Sequence, residues 1–387
     1  MESYFDNAAT TRADKEVIDL MVKVMDEDYG NPSSKHTKGM EAEEYLDNAR
    51  KIIAKSLKCD EKNIVFTSGG TEANNQAIIG TALAYEKQGK HIITTSFEHA
   101  SVLEPMIYLE SRGFEVTYLS VDNDGHVDEE ELKNSIRDDT ILVSVMYTNN
   151  EVGAVQDIEK LIKIIKAAND RTLIHVDAIQ AYGKYKIYPK KLGIDMLSVS
   201  GHKIHGPKGS GFLYRNDKIK TGAYIYGGGQ ERGFRSGTEN VPAIAGLARA
   251  AELIYDDFSN KHKQMLLVKQ TLIDGLKNID GAVFNINRGL DATVGAPHIL
   301  SVSFEGIKSE VLLHAIAADG VYVSSGSACS SNHPGLSGTL KAIGLPDNLL
   351  DSTIRMSLSY KNTVEEAEYA VFVIAKHVPV LRNFKSY

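Results

Sequence analysis

Between residues 64 and 215 the chain alternates short apolar runs with longer stretches whose apolar residues recur at helical spacing. The runs are IVFTSGG (64–70), HIITTSF (91–97), TILVSVMYTNN (140–150), TLIHVDA (172–178), DMLSVS (195–200) and GSGFLY (209–214). Several are apolar at consecutive positions, the pattern of a strand covered on both faces. Helical stretches follow three of them: TEANNQAIIGTALAYEKQG, SVLEPMIYLESRG and IEKLIKIIKAAN, the last with Leu161, Ile162, Ile164 and Ile165 at helical spacing. Strand–helix alternation of this kind predicts an α/β fold with a mainly parallel sheet and helices on both sides.

The pattern then changes. A long helical stretch runs from roughly 242 to 278, broken near Asp257–Ser259. Beyond it, AVFNIN, HILSVSFEG and TIRMSLSY predict strands, and SEVLLHAIAADG and TVEEAEYAVFVIAKHVPVL predict helices. This is a smaller α+β unit, with the boundary placed near residue 257. Open α/β sheets bind ligands at the carboxyl ends of their strands. Here those ends read SGGTEANN, FEHAS, TNNEVG, VDAIQ and SGHK, each polar, glycine-bearing or both.

Composition narrows the class. The 387 residues are 42% hydrophobic and 24% charged, which fits a globular protein with a sizeable core. Fifty-one acidic against 43 basic residues give a net charge of −8, which argues against nucleic acid as the main partner. Two cysteines, Cys59 and Cys329, make neither a disulfide framework nor a paired-cysteine zinc site, and point to a reducing compartment. The first residues, MESYFDNAATT, lack the pattern of a signal peptide. No run of about 18 apolar residues occurs, so no membrane span and a cytoplasmic location are expected.

The chemistry gathers at the strand ends. Lys203 in SVSGHKIHGPKG directly follows an apolar strand, among Ser200, His202 and glycines. A surface lysine is the ordinary reading; this setting instead suits an amine that forms a Schiff base. The stretch is no phosphate loop, since Pro207 parts glycine from Lys208 and no helix follows. His202 and His205 without a third ligand are weak evidence for a metal. Asp177 ends a strand of otherwise apolar residues, where a carboxylate is costly without a cation. It is either a cap of the next turn or the partner of a protonated ring nitrogen in an electron-sink cofactor. In SGGTEANN, Gly70 and Thr71 stand where helix N–H groups and a hydroxyl bind phosphate, although an ordinary N-terminal cap reads the same way. His99 in EHASV is either a loop histidine or an imidazole over a ring. Arg355 inside TIRMSLSY is a carboxylate binder or the partner of a structural acid. Glycine-dense GGGQERGFRSGTEN reads as a mobile loop bringing Arg232 and Arg235 toward an anion. Cys329 sits in SSGSACSS, too small-sided a stretch for a buried structural thiol, whereas Cys59 reads as incidental.

These stretches, together with YFDNAATT, GNPSSKH, NNEVGAVQD and HVDAIQA, occur in the order found in cysteine desulfurases. From Tyr4 to Tyr360 the chain resembles the NifS/IscS type of these pyridoxal-phosphate enzymes, which belong to the class-V aminotransferases. The resemblance implies an aspartate-aminotransferase-like fold (fold type I of the pyridoxal-phosphate enzymes) with a large domain at 14–257. A small domain is formed by 1–13 and 258–387, and the molecule is a homodimer. It implies conversion of L-cysteine to L-alanine, with the sulfur passed to Cys329 as a persulfide. Lys203 would carry pyridoxal 5'-phosphate and move the Cα proton. Asp177 would pair with the pyridine nitrogen, Gln180 with the ring hydroxyl, and the catalytic His99 would stack on the ring and assist proton transfer. Gly70, Thr71, Ser200 and His202 would hold the phosphate, and Thr238 the phosphate of the neighbouring subunit. Asn150 and Arg355 would bind the substrate carboxylate, with Asn150 also near the ring.

The SSGSAC form resembles the subgroup with the longer mobile loop, which predicts a poorly packed segment at 329–338. Two departures stand out: the strand after Arg355 ends LSY where many relatives have LG, and the chain stops at Tyr387 without the tail that holds a scaffold protein. The sulfur acceptor, expected to be an iron–sulfur scaffold, is thereby left open, as is a cluster bridged through the Cys329 persulfide. No resident metal is expected. An aminotransferase, a selenocysteine lyase and a non-catalytic assembly subunit are the rival readings.

Overall fold

The computed structural model of the chain describes residues 1–286, 290–325 and 336–383. A two-residue strand, β1 (Ser3–Tyr4), opens it. Seven strands then form the principal sheet: β2 (Ile64–Thr67), β3 (His91–Thr95), β4 (Glu115–Leu119), β5 (Thr140–Met146), β6 (Leu173–Asp177), β7 (Met196–Ser200) and β8 (Gly211–Arg215). Their order is β2-β8-β7-β6-β5-β3-β4. Neighbours from β7 through β6, β5 and β3 to β4 are parallel, and β8 runs antiparallel between β2 and β7. Every strand except β8 therefore delivers its carboxyl end to the same edge. Among the described residues, β4 is the one principal strand that the apolar pattern misses. It lies at the sheet's rim with Glu115 exposed and only Leu119 buried, so it carries no continuous apolar run.

Two apolar layers cover the sheet, as a doubly covered parallel sheet requires. Val143, Val145, Ile174, Val176, Leu197 and Val199 pack on one face against Ile53, Leu57 and Ile254 from the helices Thr37–Leu57 and Val241–Tyr255. Leu142, Leu173 and Met196 pack on the other against Ala77, Ile78 and Met106 from the helices Gly70–Tyr85 and Ala100–Ser111. The second face also carries a polar row: His175 on β6 bonds the hydroxyls of Ser144 on β5 (2.8 Å) and Ser198 on β7 (2.9 Å). Toward the strand ends on that face follow Met146 and Asp177, in register with each other, and Ser200, where β7 ends.

A second, antiparallel sheet is built from β9 (Ala282–Phe284), β10 (Ile299–Phe304), β12 (Ser324–Ser325) and β13 (Thr353–Ser357), in the order β12-β13-β10-β9. Strand β11 (Val321–Tyr322) pairs in parallel with β1, and Asp6 bridges to Ser357. The start of the chain is thus stitched to this second layer. The helices Phe258–Leu276, Ser309–Ala318 and Val364–Asn383 contribute Leu272, Ile316 and Ile374 to its core, against Val302, Phe304, Ile354 and Met356. The helical stretch breaks where it is expected to, at Asp257, whose φ of 51° is left-handed.

Candidate active site

The carboxyl ends of β2, β3, β5, β6 and β7 meet the second sheet around a cavity of about 460 Å³, within the usual span of small-ligand sites. β2 runs through Ser68–Gly69 into the helix Gly70–Tyr85, whose first N–H groups and the Thr71 hydroxyl open on the cavity. Glycine suits this turn: Gly69 has φ +154°, which side chains rarely adopt, and a Cβ on Gly70 would have to displace the end of the Ile179 side chain, 2.2 Å away. After β3, His99 caps the helix Ala100–Ser111. After β5 comes Asn150, and after β6 come Asp177, Ile179 and Gln180. β7 ends at Ser200 and leads directly to His202 and Lys203. Asp6, Ala8 and Ala9 close the cavity from the N-terminal segment, and Ser324 and Arg355 from the second sheet.

Asp177 is buried, and its carboxylate accepts from Asn74 Nδ2 (2.8 Å) and Ile179 N (2.9 Å). Burial raises its pKa, and these two donors together with His99 and Lys203 only partly oppose that. His99 Nδ1 accepts the Ser101 N–H (3.1 Å) and lies 2.9 Å from Ser101 Oγ, which also receives Asn74 Nδ2 (2.9 Å). Burial holds the imidazole below its ordinary pKa. His202 is pushed down to about 4 by burial, then by Lys203 and Lys208. Lys203 Nζ donates to the carbonyls of Ala8 (2.5 Å) and Ala9 (2.7 Å). Behind it, the buried Lys184 donates to the Lys203 carbonyl (3.1 Å), and burial lowers Lys184 to about 8.

Arg355 is 4% exposed. Its Nη1 donates to the Asn150 carbonyl (2.9 Å) and its Nη2 to Asp6 Oδ1 (2.8 Å), while Nε has no partner among the described residues. Beside it, half-buried Glu151 accepts from Ser337 Oγ (2.5 Å) and Thr339 Oγ1 (3.1 Å). Gln180 donates to the Ala8 carbonyl (3.0 Å), and its Oε1 lies 3.3 Å from His298 Nε2.

These residues fit pyridoxal phosphate. Asp177 is a buried carboxylate that makes no ion pair among the described residues, which a protonated pyridine nitrogen would supply. Thr148 Oγ1 and Arg355 Nε are buried polar atoms on the same cavity wall with no partner among the described residues, as expected where a polar ligand completes them. A helix N-terminus beside Ser200 and His202 suits a phosphate.

Nine of the expected residues line this one cavity: Gly70, Thr71, His99, Asn150, Asp177, Gln180, Ser200, His202 and Lys203; Arg355 joins them from the second sheet. Thr238 does not. It lines a separate space of about 140 Å³ with Ser68, Ser210 and Arg235. Cys329, and the segment 329–335 expected to be poorly packed, lie outside the described residues. Just downstream, Ser337 is buried and caps the short helix Gly338–Ala342, while Leu336 and Gly338 beside it are exposed. The anion-seeking loop needs correction too. Arg235 is committed to Glu72 (Nε to Oε1, 2.9 Å) on the helix Gly70–Tyr85, because that first-turn acid is its nearest counter-charge. Asp6, Asn74, Ser101 and Lys184 were not singled out. The first three lie inside stretches that the order of motifs already marked, YFDNAATT, SGGTEANN and EHASV; Lys184 lies three residues past HVDAIQA, outside any marked stretch.

The site and fold define a pyridoxal-phosphate enzyme of fold type I. Residues 3–369 match the family described as Aminotransferase class-V. The chain belongs to that family, and within it to the cysteine desulfurases. It is 43% identical over 380 residues to the "Cysteine desulfurase IscS" of Methanosarcina thermophila, covering 98% of this chain and 93% of that protein. A solved structure described as a NifS-like protein superposes with a TM-score of 0.92 at 41% identity, covering 98% of this chain and 100% of the other. Another, described as SspA in complex with cysteine, gives a TM-score of 0.82 at 34% identity, covering 93% of this chain and 100% of the other.

Proposed function

We propose that this chain is a cysteine desulfurase that converts L-cysteine to L-alanine and holds the sulfur on Cys329 as a persulfide for delivery to an acceptor protein. The observation that carries this reading is a single cavity, in a chain of that family, gathering Lys203, Asp177, His99 and Arg355. When bound, pyridoxal phosphate supplies an electron sink that acidifies the substrate Cα–H and labilises its C–S bond.

The protein does the rest. Lys203 anchors the cofactor and takes the Cα proton at Nζ. Asp177 would pair with the pyridine nitrogen and keep it protonated, Gln180 would bond the ring hydroxyl, and His99 would stack on the ring. Gly70, Thr71, Ser200 and His202 hold the phosphate. Arg355 and Asn150 fix the substrate carboxylate, so that its sulfur faces one side of the site. The Cys329 thiolate attacks that sulfur: a new S–S bond forms, the substrate C–S bond breaks, and carbon keeps the electron pair until a proton completes L-alanine.

We further propose two domains, 14–257 and 1–13 with 258–387, which the separate apolar cores of the two sheets support. In a cytoplasmic homodimer, Thr238 would complete the phosphate site of the neighbouring subunit; its position away from its own chain's cavity supports that role. The acceptor is expected to be an iron–sulfur scaffold.

The test is stoichiometric. Cofactor-loaded protein given L-cysteine without reductant should form equal amounts of L-alanine and sulfane sulfur, with one added sulfur on the Cys329 peptide by mass spectrometry. Lys203→Ala should lose the visible band of the bound cofactor. Cys329→Ser should keep that band and lose the persulfide. Sulfur loading of a protein acceptor by Cys329→Ser, or a 2-oxoacid product, would overturn the reading.

A further inference from the structure

Asp177 and His99 are joined by two side chains that the mechanism above does not use. Asn74 projects from the helix Gly70–Tyr85 and is 0% exposed. Its Nδ2 donates both to Asp177 Oδ2 (2.8 Å) and to Ser101 Oγ (2.9 Å). Each bond takes one of the two amide hydrogens. Turning the amide over would set Oδ1 against a carboxylate, so the orientation follows from the charge on Asp177. Ser101 Oγ, having accepted from Asn74, turns its own hydrogen to His99 Nδ1 (2.9 Å). The Ser101 N–H already points at the same nitrogen (3.1 Å). Two donors aimed at Nδ1 exclude a proton there, so a neutral His99 carries its hydrogen on Nε2.

We propose that Asn74 and Ser101 are positioning residues that relay the charge of Asp177 to His99 and fix its imidazole as the tautomer protonated at Nε2. The relay rests on the reading that Asp177 and His99 serve a pyridoxal-phosphate site, but its geometry belongs to the chain alone. It gives His99 a definite task. The ring offers an Nε2–H as a donor, and becoming a cation would break both bonds to Nδ1. The charged groups facing His99 are Asp177, which favours the cation, and Lys203, which opposes it. With Nδ1 closed by Ser101, the imidazole stays neutral although Asp177 faces it.

Long-range proton–nitrogen NMR of the full-length protein, labelled in histidine and assigned against His99→Gln, reads the tautomer directly. It is recorded with pyridoxal phosphate loaded and again after the cofactor is stripped. Wild type should show Nδ1 bare and Nε2 protonated in both. Asn74→Ala and Ser101→Ala each remove support for a bare Nδ1. Each should raise the His99 protonation constant about tenfold, one pH unit, the scale of one hydrogen bond. Asn74→Ala should also weaken pyridoxal-phosphate binding about tenfold or more, because the Asp177 carboxylate loses a donor. Asn74→Leu, close to isosteric, replaces it if the alanine variant does not fold. A proton on Nδ1 in wild type overturns the proposal. So does a shift in Ser101→Ala alone, or in neither variant. Failure of the desulfurase reading would appear elsewhere, as absent alanine, and leaves this measurement intact.

Discussion

Arg355→Lys tests the substrate side of the site, because a lysine keeps the charge and removes the geometry. The guanidinium spends one N–H on the Asn150 carbonyl and one on Asp6. Its other three donors, Nε–H included, have no partner among the described residues. That leaves a fork wide enough for two parallel bonds to a carboxylate. An ammonium has three hydrogens on one atom and no fork. Placed between Asp6 and the Asn150 carbonyl, it serves those first and leaves the substrate carboxylate short of at least one charge-assisted bond. Leaving such a bond unmade costs about 1.5–3 kcal/mol. At about 1.4 kcal/mol per factor of ten, kcat/KM for L-cysteine should fall roughly 10- to 150-fold, mostly in KM. The assay is alanine release across cysteine concentrations, run beside a titration of the cofactor's visible band with cysteamine. Cysteamine lacks the carboxylate, so it should perturb the band of both proteins at the same concentration. Unchanged kcat/KM for cysteine in Arg355→Lys, or an equal loss for cysteamine, would refute the reasoning.

Three further outcomes follow from the same geometry. Glu151→Ala releases Ser337 and Thr339 from the loop that carries Asn150; cofactor loading and exchange of the substrate Cα proton with solvent should persist, while persulfide formation on Cys329 slows about tenfold, the scale of one or two hydrogen bonds. Arg50→Met breaks a buried pair in which Arg50 Nη1 meets Glu231 Oε2 at 2.8 Å and Phe66 N donates to the same carboxylate at 2.9 Å; a stranded buried carboxylate should cost about 3–5 kcal/mol in urea unfolding, and Glu231→Gln in the same chain should recover part of it. Glu98 is pushed up to about 8 by complete burial, so between the ordinary carboxylate range and pH 8 the folded chain holds a proton that the unfolded chain releases. Wild-type stability therefore falls as pH rises through that window, by about 1.4 kcal/mol per unit; Glu98→Gln should lack this slope and gain on wild type from pH 5 to pH 8, and parallel pH profiles of the two would contradict the burial of a neutral acid.

The principal sheet was legible because its strands are covered on both faces and so write themselves as apolar runs. β4 was not, because its rim position leaves Glu115 in solvent and three of its five residues only half-buried. The site was legible for a different reason. Lys203, Asp177 and His99 each stand at the end of an apolar strand, where polar side chains have no place in a core. Asn74 and Ser101 sit inside helices, three residues beyond Thr71 and two beyond His99, where no strand end marks them. Their meaning depends on which face of β6 Asp177 occupies and on which helix covers that face. The same limit explains Arg235. Both it and Glu72 were visible, but only packing of the glycine-rich loop against the helix Gly70–Tyr85 makes them partners.

The strand register then explains why the site is anchored where it is. His175 lies two residues before Asp177 on the same face, and its ring is bonded on both sides to serines of the neighbouring strands. Burial lowers it to about 3, so it is neutral and crosslinks the sheet without adding charge beneath the carboxylate. One row further out, Asp177 receives the Ile179 N–H and the Asn74 amide. Its position is therefore set by the sheet and by one helix, independently of any ligand. Lys203 differs. Its Nζ donates to the carbonyls of Ala8 and Ala9, in a segment that runs back to β13 through the Asp6–Ser357 bridge. An amine carrying the cofactor, as proposed for Lys203, would have fewer hydrogens to give, so loading would take bonds away from that segment. The fixed half of the chemistry thus sits on the principal sheet, and the half that changes partners reaches across to the second.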